Sequence, residues 1–116
     1  MAGRLTLAEQ AIDCFGIDNQ IRKAAEECSE CSAALLKILD ISAEETKDEL
    51  ISKAIGEIAD VKICIEQLEK IFDLHAIQKA KYQKEGRLFD KICRARDNGV
   101  RPGSGNVSSD QTPWIQ

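Results

Sequence analysis

The fold of this chain is decided by residues 21–39, which read IRKAAEECSECSAALLKIL. Small and apolar side chains recur there at spacings of three and four residues, which is the repeat of one face of an α-helix. They are Ile21, Ala24, Ala25, Cys28, Cys31, Ala34, Leu35, Ile38 and Leu39. The pattern predicts a long amphipathic helix. The same helix carries the acidic run EECSE at 26–30, in which Glu27 and Glu30 share a face at i, i+3.

A second acidic pair lies on the helix that is predicted next along the chain. The apolar stripe of this helix consists of Ile51, Ile55, Ile58, Val61, Ile65, Leu68 and Phe72. Glu57 and Asp60 share a face, and with Cys64, Gln67 and Ile71 they form a strip that flanks the stripe. We therefore expect the second acidic pair to lie at the edge of the hydrophobic core.

The two acidic clusters are placed symmetrically about a single turn, centred near residues 43–44. An antiparallel helical hairpin about that centre brings Glu30 level with Glu57. It also brings Glu27 level with Asp60. Four ionised carboxylates a few ångströms apart repel strongly, and a hard divalent cation with oxygen ligands relieves the repulsion. The spacing therefore predicts a magnesium site.

Stop and start signals define the other predicted helices. A first short helix runs from about residue 5 to 14, and Asp18 or Asn19 caps the helix after it. The run Ser42-Ala43-Glu44-Glu45 has the S-x-x-E pattern of a capping box and marks the hairpin turn. A last helix covers about residues 75–95.

Composition favours an all-α fold, a helical hairpin or four-helix bundle that self-association would complete. The chain has 116 residues, of which 43% are apolar and only 4% aromatic, as suits a small helical bundle. We expect one all-α domain over residues 1–97. Gly, Ser, Pro and Asn dominate residues 98–116, which predicts a flexible C-terminal tail.

Charge and hydropathy bound the partners and the compartment. The formal net charge of −4 provides no basic field for a nucleic-acid backbone, so duplex nucleic acid is not an expected partner. No stretch approaches the roughly 20 apolar residues that span a bilayer, and the N-terminus has no long apolar signal region. We expect a cytoplasmic protein with no membrane partner.

The five cysteines are Cys14, Cys28, Cys31, Cys64 and Cys93. An odd number, all within helical patterns, indicates reduced thiols that pack as small apolar residues. The pair Cys28-x-x-Cys31 has no second CxxC or histidine pair to complete a zinc site, because His75 is the only histidine. Zinc or redox chemistry is the weaker interpretation of this pair.

The acidic motif resembles that of a known enzyme family. Glu26-Glu27-x-x-Glu30, a spacer of 26 residues and Glu57-x-x-Asp60 resemble the EExxE…ExxD signature of the MazG-like, all-α nucleoside triphosphate pyrophosphohydrolases. The segments at 15–21, 56–61 and 65–68 are similar to the corresponding segments of small MazG-like proteins. The resemblance covers roughly residues 15–88.

The resemblance implies a helical hairpin that assembles as a homo-oligomer, either a dimer or a tetramer built as a dimer of dimers. It implies Mg²⁺, with Mn²⁺ as a substitute, held by Glu27, Glu30, Glu57 and Asp60. The implied reaction is hydrolysis of a nucleoside triphosphate to the monophosphate and pyrophosphate, in sanitation or control of a nucleotide pool. A dUTPase or dCTPase activity is a narrower variant.

The resemblance also implies further site residues. Glu30 is a candidate to deprotonate the attacking water, and Glu26 to orient a water, to bind an outer partner or to be solvated. The candidate phosphate contacts are Lys81, Lys84, Arg87 and, more weakly, Lys23; Lys84 stands where many relatives have Asn. Phe15 and Gln20 are candidates for contacts to the base, although Phe15 is equally a candidate core residue.

The alternative class is a non-catalytic helical module, which binds metal structurally or contacts a basic protein partner through its acids. A di-iron carboxylate bundle is disfavoured, because those sites use Glu-x-x-His pairs and neither acidic cluster contains a histidine. An alternative without a binding role also exists for the basic face of the last helix, which would simply be solvated; its residues are Lys81, Lys84 and Arg87.

Overall fold

The computed structural model describes residues 3–99, which are all-α. Four helices follow one another: α1 (Leu7–Phe15), α2 (Ile17–Ile38), α3 (Lys47–Ile71) and α4 (Leu74–Asp97). No strand occurs within residues 3–99. The all-α prediction is therefore confirmed. Beyond Gly99, the predicted tail lies outside the described residues.

The described residues divide into two units, residues 3–74 and residues 75–99. In the first unit, α2 packs along α3 as the predicted hairpin, and α1 contacts both of them. The described part of the second unit is essentially α4. The single domain expected over residues 1–97 stays a prediction.

The first helix begins with a capping box that the sequence reading did not use. The Glu9 amide donates to the Thr6 hydroxyl at 3.2 Å, and the Thr6 amide donates to the Glu9 carboxylate at 2.9 Å. Two amide donors that no helical carbonyl can reach are satisfied in this way, which fixes the start of α1 at Leu7.

A single glycine separates α1 from α2. Gly16 has φ 90°, a value that L side chains rarely adopt, and its amide donates to the Ile12 carbonyl. The chain therefore turns sharply, and α2 begins at once. Asp18 and Asn19 lie inside α2, so the prediction that one of them caps the helix is wrong; the Asn19 amide instead donates to the Phe15 carbonyl at 2.8 Å.

The hairpin turn lies where the sequence predicts it, but the residue that caps the start of α3 is not the predicted one. Thr46 and Glu49 form the capping box of α3, with both cross-contacts at 3.2 Å. Ser42, predicted as the cap, instead donates from its amide and its hydroxyl to Asp40, at 2.9 and 2.7 Å. The predicted cap is wrong because Asp40 engages Ser42 in a local turn and T-x-x-E at 46–49 supplies an equivalent box.

The seam between α2 and α3 is narrow and partly polar. Its buried apolar residues are Ala24, Leu50, Ala54 and Cys64, and its buried polar residues are Gln20, Glu27 and Gln67. Alanines on both helices let the backbones approach closely. The helices therefore meet along the strip that carries the acids.

The observed seam shows that the predicted core face of α3 is wrong. The apolar stripe was expected to face the core, but Ile55 is 61% exposed, Phe72 is 60% exposed, and Ile58 and Ile65 are each 42% exposed. Because α3 packs through the neighbouring strip, the acidic pair lies in and beside the seam, and the isoleucines form an apolar flank of the hairpin.

Among residues 3–99, no helix combines the length and the hydropathy that a membrane-spanning segment requires.

Candidate metal centre

The register of the hairpin is fixed by a buried hydrogen bond. The Gln20 side-chain amide donates to the Gln67 side-chain oxygen across the seam at 2.6 Å. These two residues are equally far from the midpoint between residues 43 and 44, as are Glu30 and Glu57. The observed register is therefore the one that the symmetry of the acidic clusters predicts.

Three acids from the two helices converge beside this seam. Glu27, Glu57 and Asp60 each offer a carboxylate oxygen, and these oxygens all lie within 4.8 Å of one another. Glu27 projects from α2, whereas Glu57 and Asp60 lie one turn apart on α3. Within the part of the chain that the structure describes, this is the cluster with the geometry of a metal site.

Two oxygens of the cluster are buried and have no hydrogen-bond partner. They are Oε2 of Glu27 and Oε2 of Glu57. Glu27 as a whole is only 6% exposed. A buried carboxylate oxygen without a donor is unfavourable, so it requires a compensating interaction. A cation held between the two helices would supply it.

Electrostatics single out Glu57 within the cluster. Burial raises the pKa of Glu57 above its ordinary value, and the negative charges of Glu30, Asp60 and Glu27 raise it further. Glu30, which is exposed, therefore acts on Glu57 through its charge, but it is not one of the three clustered acids, and its predicted role as a metal ligand stays a prediction.

One ammonium group contacts the cluster. Lys23 Nζ lies 2.8 Å from Oε1 of Glu27, one helical turn away on α2. This contact, together with the charges of Glu27, Glu26 and Glu30, raises the pKa of Lys23. Lys23 was predicted as a weak candidate for a phosphate contact, and its ammonium is engaged with an acid instead.

Cys64 and the glutamine pair are buried on the same two helices as the acids. Cys64 is buried, and its burial raises the pKa of the thiol; the charge of Glu27 adds to the effect. The thiol is therefore neutral at physiological pH. All five cysteines are free, but only Cys64 is buried, so the expected packing role applies fully to this one alone.

The donor set fits a hard divalent cation. Its ligand atoms are carboxylate oxygens, which Mg²⁺ and Mn²⁺ prefer over the nitrogen and sulfur ligands of zinc. Glu27, Glu57 and Asp60 would hold the ion. The two unpaired buried oxygens point to the same class of ligand.

The remaining predicted contacts of the first unit lie around this centre. Glu26 is exposed on α2 and is not one of the three clustered acids. Phe15 ends α1 and is 59% exposed, so it is not a core residue of this unit. Gln20 is buried, and its side-chain amide already donates to Gln67. Both base contacts stay predictions.

The predicted phosphate contacts of the second unit lie on α4. Lys81, Lys84 and Arg87 are exposed at successive steps of three residues. The helix carries seven Lys and Arg residues against three Asp and Glu residues, in a chain that is acidic overall. Their role in binding phosphate stays a prediction.

Comparisons with known proteins did not place the chain. No family model, curated protein or solved structure matched it. Its function must therefore be argued from its own residues.

Sequence reasoning missed the partnership of Gln67 and the ion pair of Lys23. Gln67 lies on the same strip of α3 as Glu57, and this was the available signal. The position of Gln67 on this strip does not identify its hydrogen-bond partner, because only the register of the hairpin brings Gln20 opposite Gln67.

Proposed function

We propose that this chain is a Mg²⁺-dependent nucleoside triphosphate pyrophosphohydrolase, with Mn²⁺ as a substitute ion. It would hydrolyse a ribo- or deoxyribonucleoside triphosphate between its α- and β-phosphates and release the monophosphate and pyrophosphate. Sanitation or control of a nucleotide pool is the corresponding task. The acidic motif and its resemblance to the MazG-like enzymes motivate this reaction class.

The observation that carries the proposal is the pair of unpaired buried oxygens on Glu27 and Glu57. Both residues belong to the cluster in which Glu27, Glu57 and Asp60 each offer a carboxylate oxygen within 4.8 Å of the others. A solvated acidic patch would leave its oxygens in contact with water, where no cation is needed. Buried and convergent oxygens favour a bound divalent cation.

Different residues of the chain have different roles in the proposed reaction. Glu27, Glu57 and Asp60 hold the ion, which when bound offsets the charge of the phosphates and activates water. Glu30 is the proposed base, because its charge acts on Glu57 and its side chain is exposed to solvent. Glu26 is the second candidate, one that would act from the solvent side.

Cations are also needed, because the triphosphate is strongly anionic. The basic strip Lys81, Lys84 and Arg87 of α4 is the proposed source. The excess of basic residues on this helix supports the proposal.

The proposed active form is a homo-oligomer. Ile55, Ile58 and Ile65 on α3, with Phe72 at its C-cap, form an apolar flank whose residues are 42–61% exposed in the single chain. A patch of this kind marks an interaction surface in a small protein. A second copy of the hairpin would bury it and extend the small core.

The test is pyrophosphate release from a panel of canonical, deoxy and modified nucleoside triphosphates with Mg²⁺. Glu57→Gln is the variant at the site, and Glu66→Gln is its matched control on an exposed position of the same helix. We expect release by wild type and by Glu66→Gln, and a loss of at least about 100-fold in Glu57→Gln.

Two results would contradict the proposal. Equal release by Glu57→Gln and wild type would remove the acid cluster from catalysis. No release across the panel, from folded protein that binds Mg²⁺, would favour the alternative of a non-catalytic metal-binding or protein-interaction module.

A further inference from the structure

The acid cluster already contains a cation that belongs to the chain. The Lys23 ammonium lies 2.8 Å from Oε1 of Glu27. The Lys23 side chain is 55% exposed, whereas that of Glu27 is 8% exposed. Lys23 therefore reaches from solvent to the mouth of the site and places its charge on a buried carboxylate.

Helix stabilisation does not explain this ion pair. In an α-helix, a glutamate four residues before a lysine is favourable, and the reverse order found at Lys23 and Glu27 is less so. The ammonium also feels the charges of Glu26 and Glu30. Its main partner is Glu27, and the charges of Glu26 and Glu30 add smaller contributions.

The ammonium compensates the cluster only in part. It contacts Oε1 of Glu27, while Oε2 of the same carboxylate stays buried and unpaired, as does Oε2 of Glu57. One positive charge at the mouth faces three converging carboxylates. A divalent cation would bring twice the charge to the interior of the same cluster.

We propose that Lys23 is a built-in counter-cation of the acid cluster, which holds Glu27 in the metal-free protein and competes with a divalent cation for that carboxylate. The inference rests on the metal site of the proposed function and not on hydrolysis. Lys23 is thus a residue that sets the metal affinity of the site. By weakening the binding of the ion alone, it raises the Mg²⁺ concentration at which the site is half occupied.

The test measures Mg²⁺ and Mn²⁺ affinity by calorimetric titration without nucleotide. Lys23→Met removes the charge and keeps most of the length of the side chain, and Lys23→Arg keeps the charge. Lys62→Met removes an equivalent charge from an exposed position on α3. We expect Lys23→Met to bind Mg²⁺ about threefold to tenfold more tightly than wild type, and the other two variants to stay within about twofold.

Three results would overturn the inference. Unchanged or weaker binding by Lys23→Met would show that Lys23 does not compete with the ion. An equal gain in Mg²⁺ affinity in Lys62→Met would show that the loss of any positive charge has this effect, wherever it lies on the hairpin. A wild-type protein that binds neither ion at millimolar concentration would remove the metal site itself.

The result is independent of the enzymatic proposal. Tighter binding by Lys23→Met in a protein that releases no pyrophosphate would support the role of Lys23 and contradict the hydrolase. Lys23→Gln, with its fold checked by circular dichroism, gives a second variant with the same expected gain, so a folding defect in one variant does not decide the outcome.

Discussion

The Gln20 side-chain amide donates to the side-chain oxygen of Gln67 at 2.6 Å, and both residues are buried between α2 and α3. A one-residue slip of either helix would break this contact and would separate Glu27 from Asp60. The hydrogen bond therefore links the register of the hairpin to the geometry of the acid cluster.

Removing one glutamine leaves its partner buried without a hydrogen bond. We expect Gln20→Leu to lower the free energy of unfolding by about 1–3 kcal/mol, as measured by urea denaturation. The double variant Gln20→Leu/Gln67→Leu removes both polar groups and is expected to recover most of that loss. The exposed Gln83→Leu is the control, with a change below about 0.5 kcal/mol. Additive losses in the double variant would show that the pair is not coupled.

Glu57→Gln is expected to change the stability of the metal-free protein and its affinity for Mg²⁺ in opposite directions. Burial and three neighbouring acids raise the pKa of Glu57, so a neutral amide at this position is expected to raise the melting temperature of the metal-free protein. The same change is expected to weaken Mg²⁺ binding by at least about tenfold, measured by calorimetry. Glu66→Gln, which is exposed, is expected to change neither by much.

The opposite sign for stability would be informative. A Glu57→Gln variant that melts at a lower temperature than wild type would show that the carboxylate of Glu57 makes a structural hydrogen bond, and the repulsion argument for the cluster would then be wrong.

Acid stability should report the ion pairs at the hairpin turn. The Lys53 ammonium, 3.1 Å from Glu45, and Lys37, 3.7 Å away, hold the pKa of Glu45 below its ordinary value of 4.5. A carboxyl with a lowered folded pKa contributes stability above the unfolded value, and this stability is lost as the pH falls through the folded value.

Glu45→Gln is therefore expected to be less stable than wild type at pH 7 and to approach it as the pH falls below 4.5. Urea denaturation at a series of pH values measures the difference. Glu44→Gln, which removes the neighbouring exposed carboxylate, is the charge-matched control. A constant difference between Glu45→Gln and wild type at all pH values would exclude the ion pairs as its cause.

Local patterns predicted the helices and the hairpin because helical periodicity and acid spacing are properties of short segments. The register followed from symmetry, and Gln20 opposite Gln67 confirms it. The face of α3 that packs was predicted wrongly, since hydropathy ranks Ile55 and Ile58 above Cys64 and Gln67. Which strip forms the seam depends on how closely two helices can approach, and no single segment contains that information.

The exposed isoleucines lead to a prediction about assembly. Ile55 is 61% exposed on the apolar flank of α3, where the proposed homo-oligomer would bury it. Because burying an unpaired charge is costly, Ile55→Glu is expected to raise the dissociation constant of the oligomer by at least about tenfold. Sedimentation equilibrium measures that constant.

Ile41→Glu is the matched control, since Ile41 is fully exposed in the hairpin turn and lies away from this flank. It is expected to leave the assembly unchanged. A wild-type protein that sediments as a monomer at high concentration would contradict the proposed oligomer. Equal dissociation constants for wild type and Ile55→Glu would instead place the interface on another surface, because an oligomer that buries the apolar flank cannot accept a glutamate there without loss.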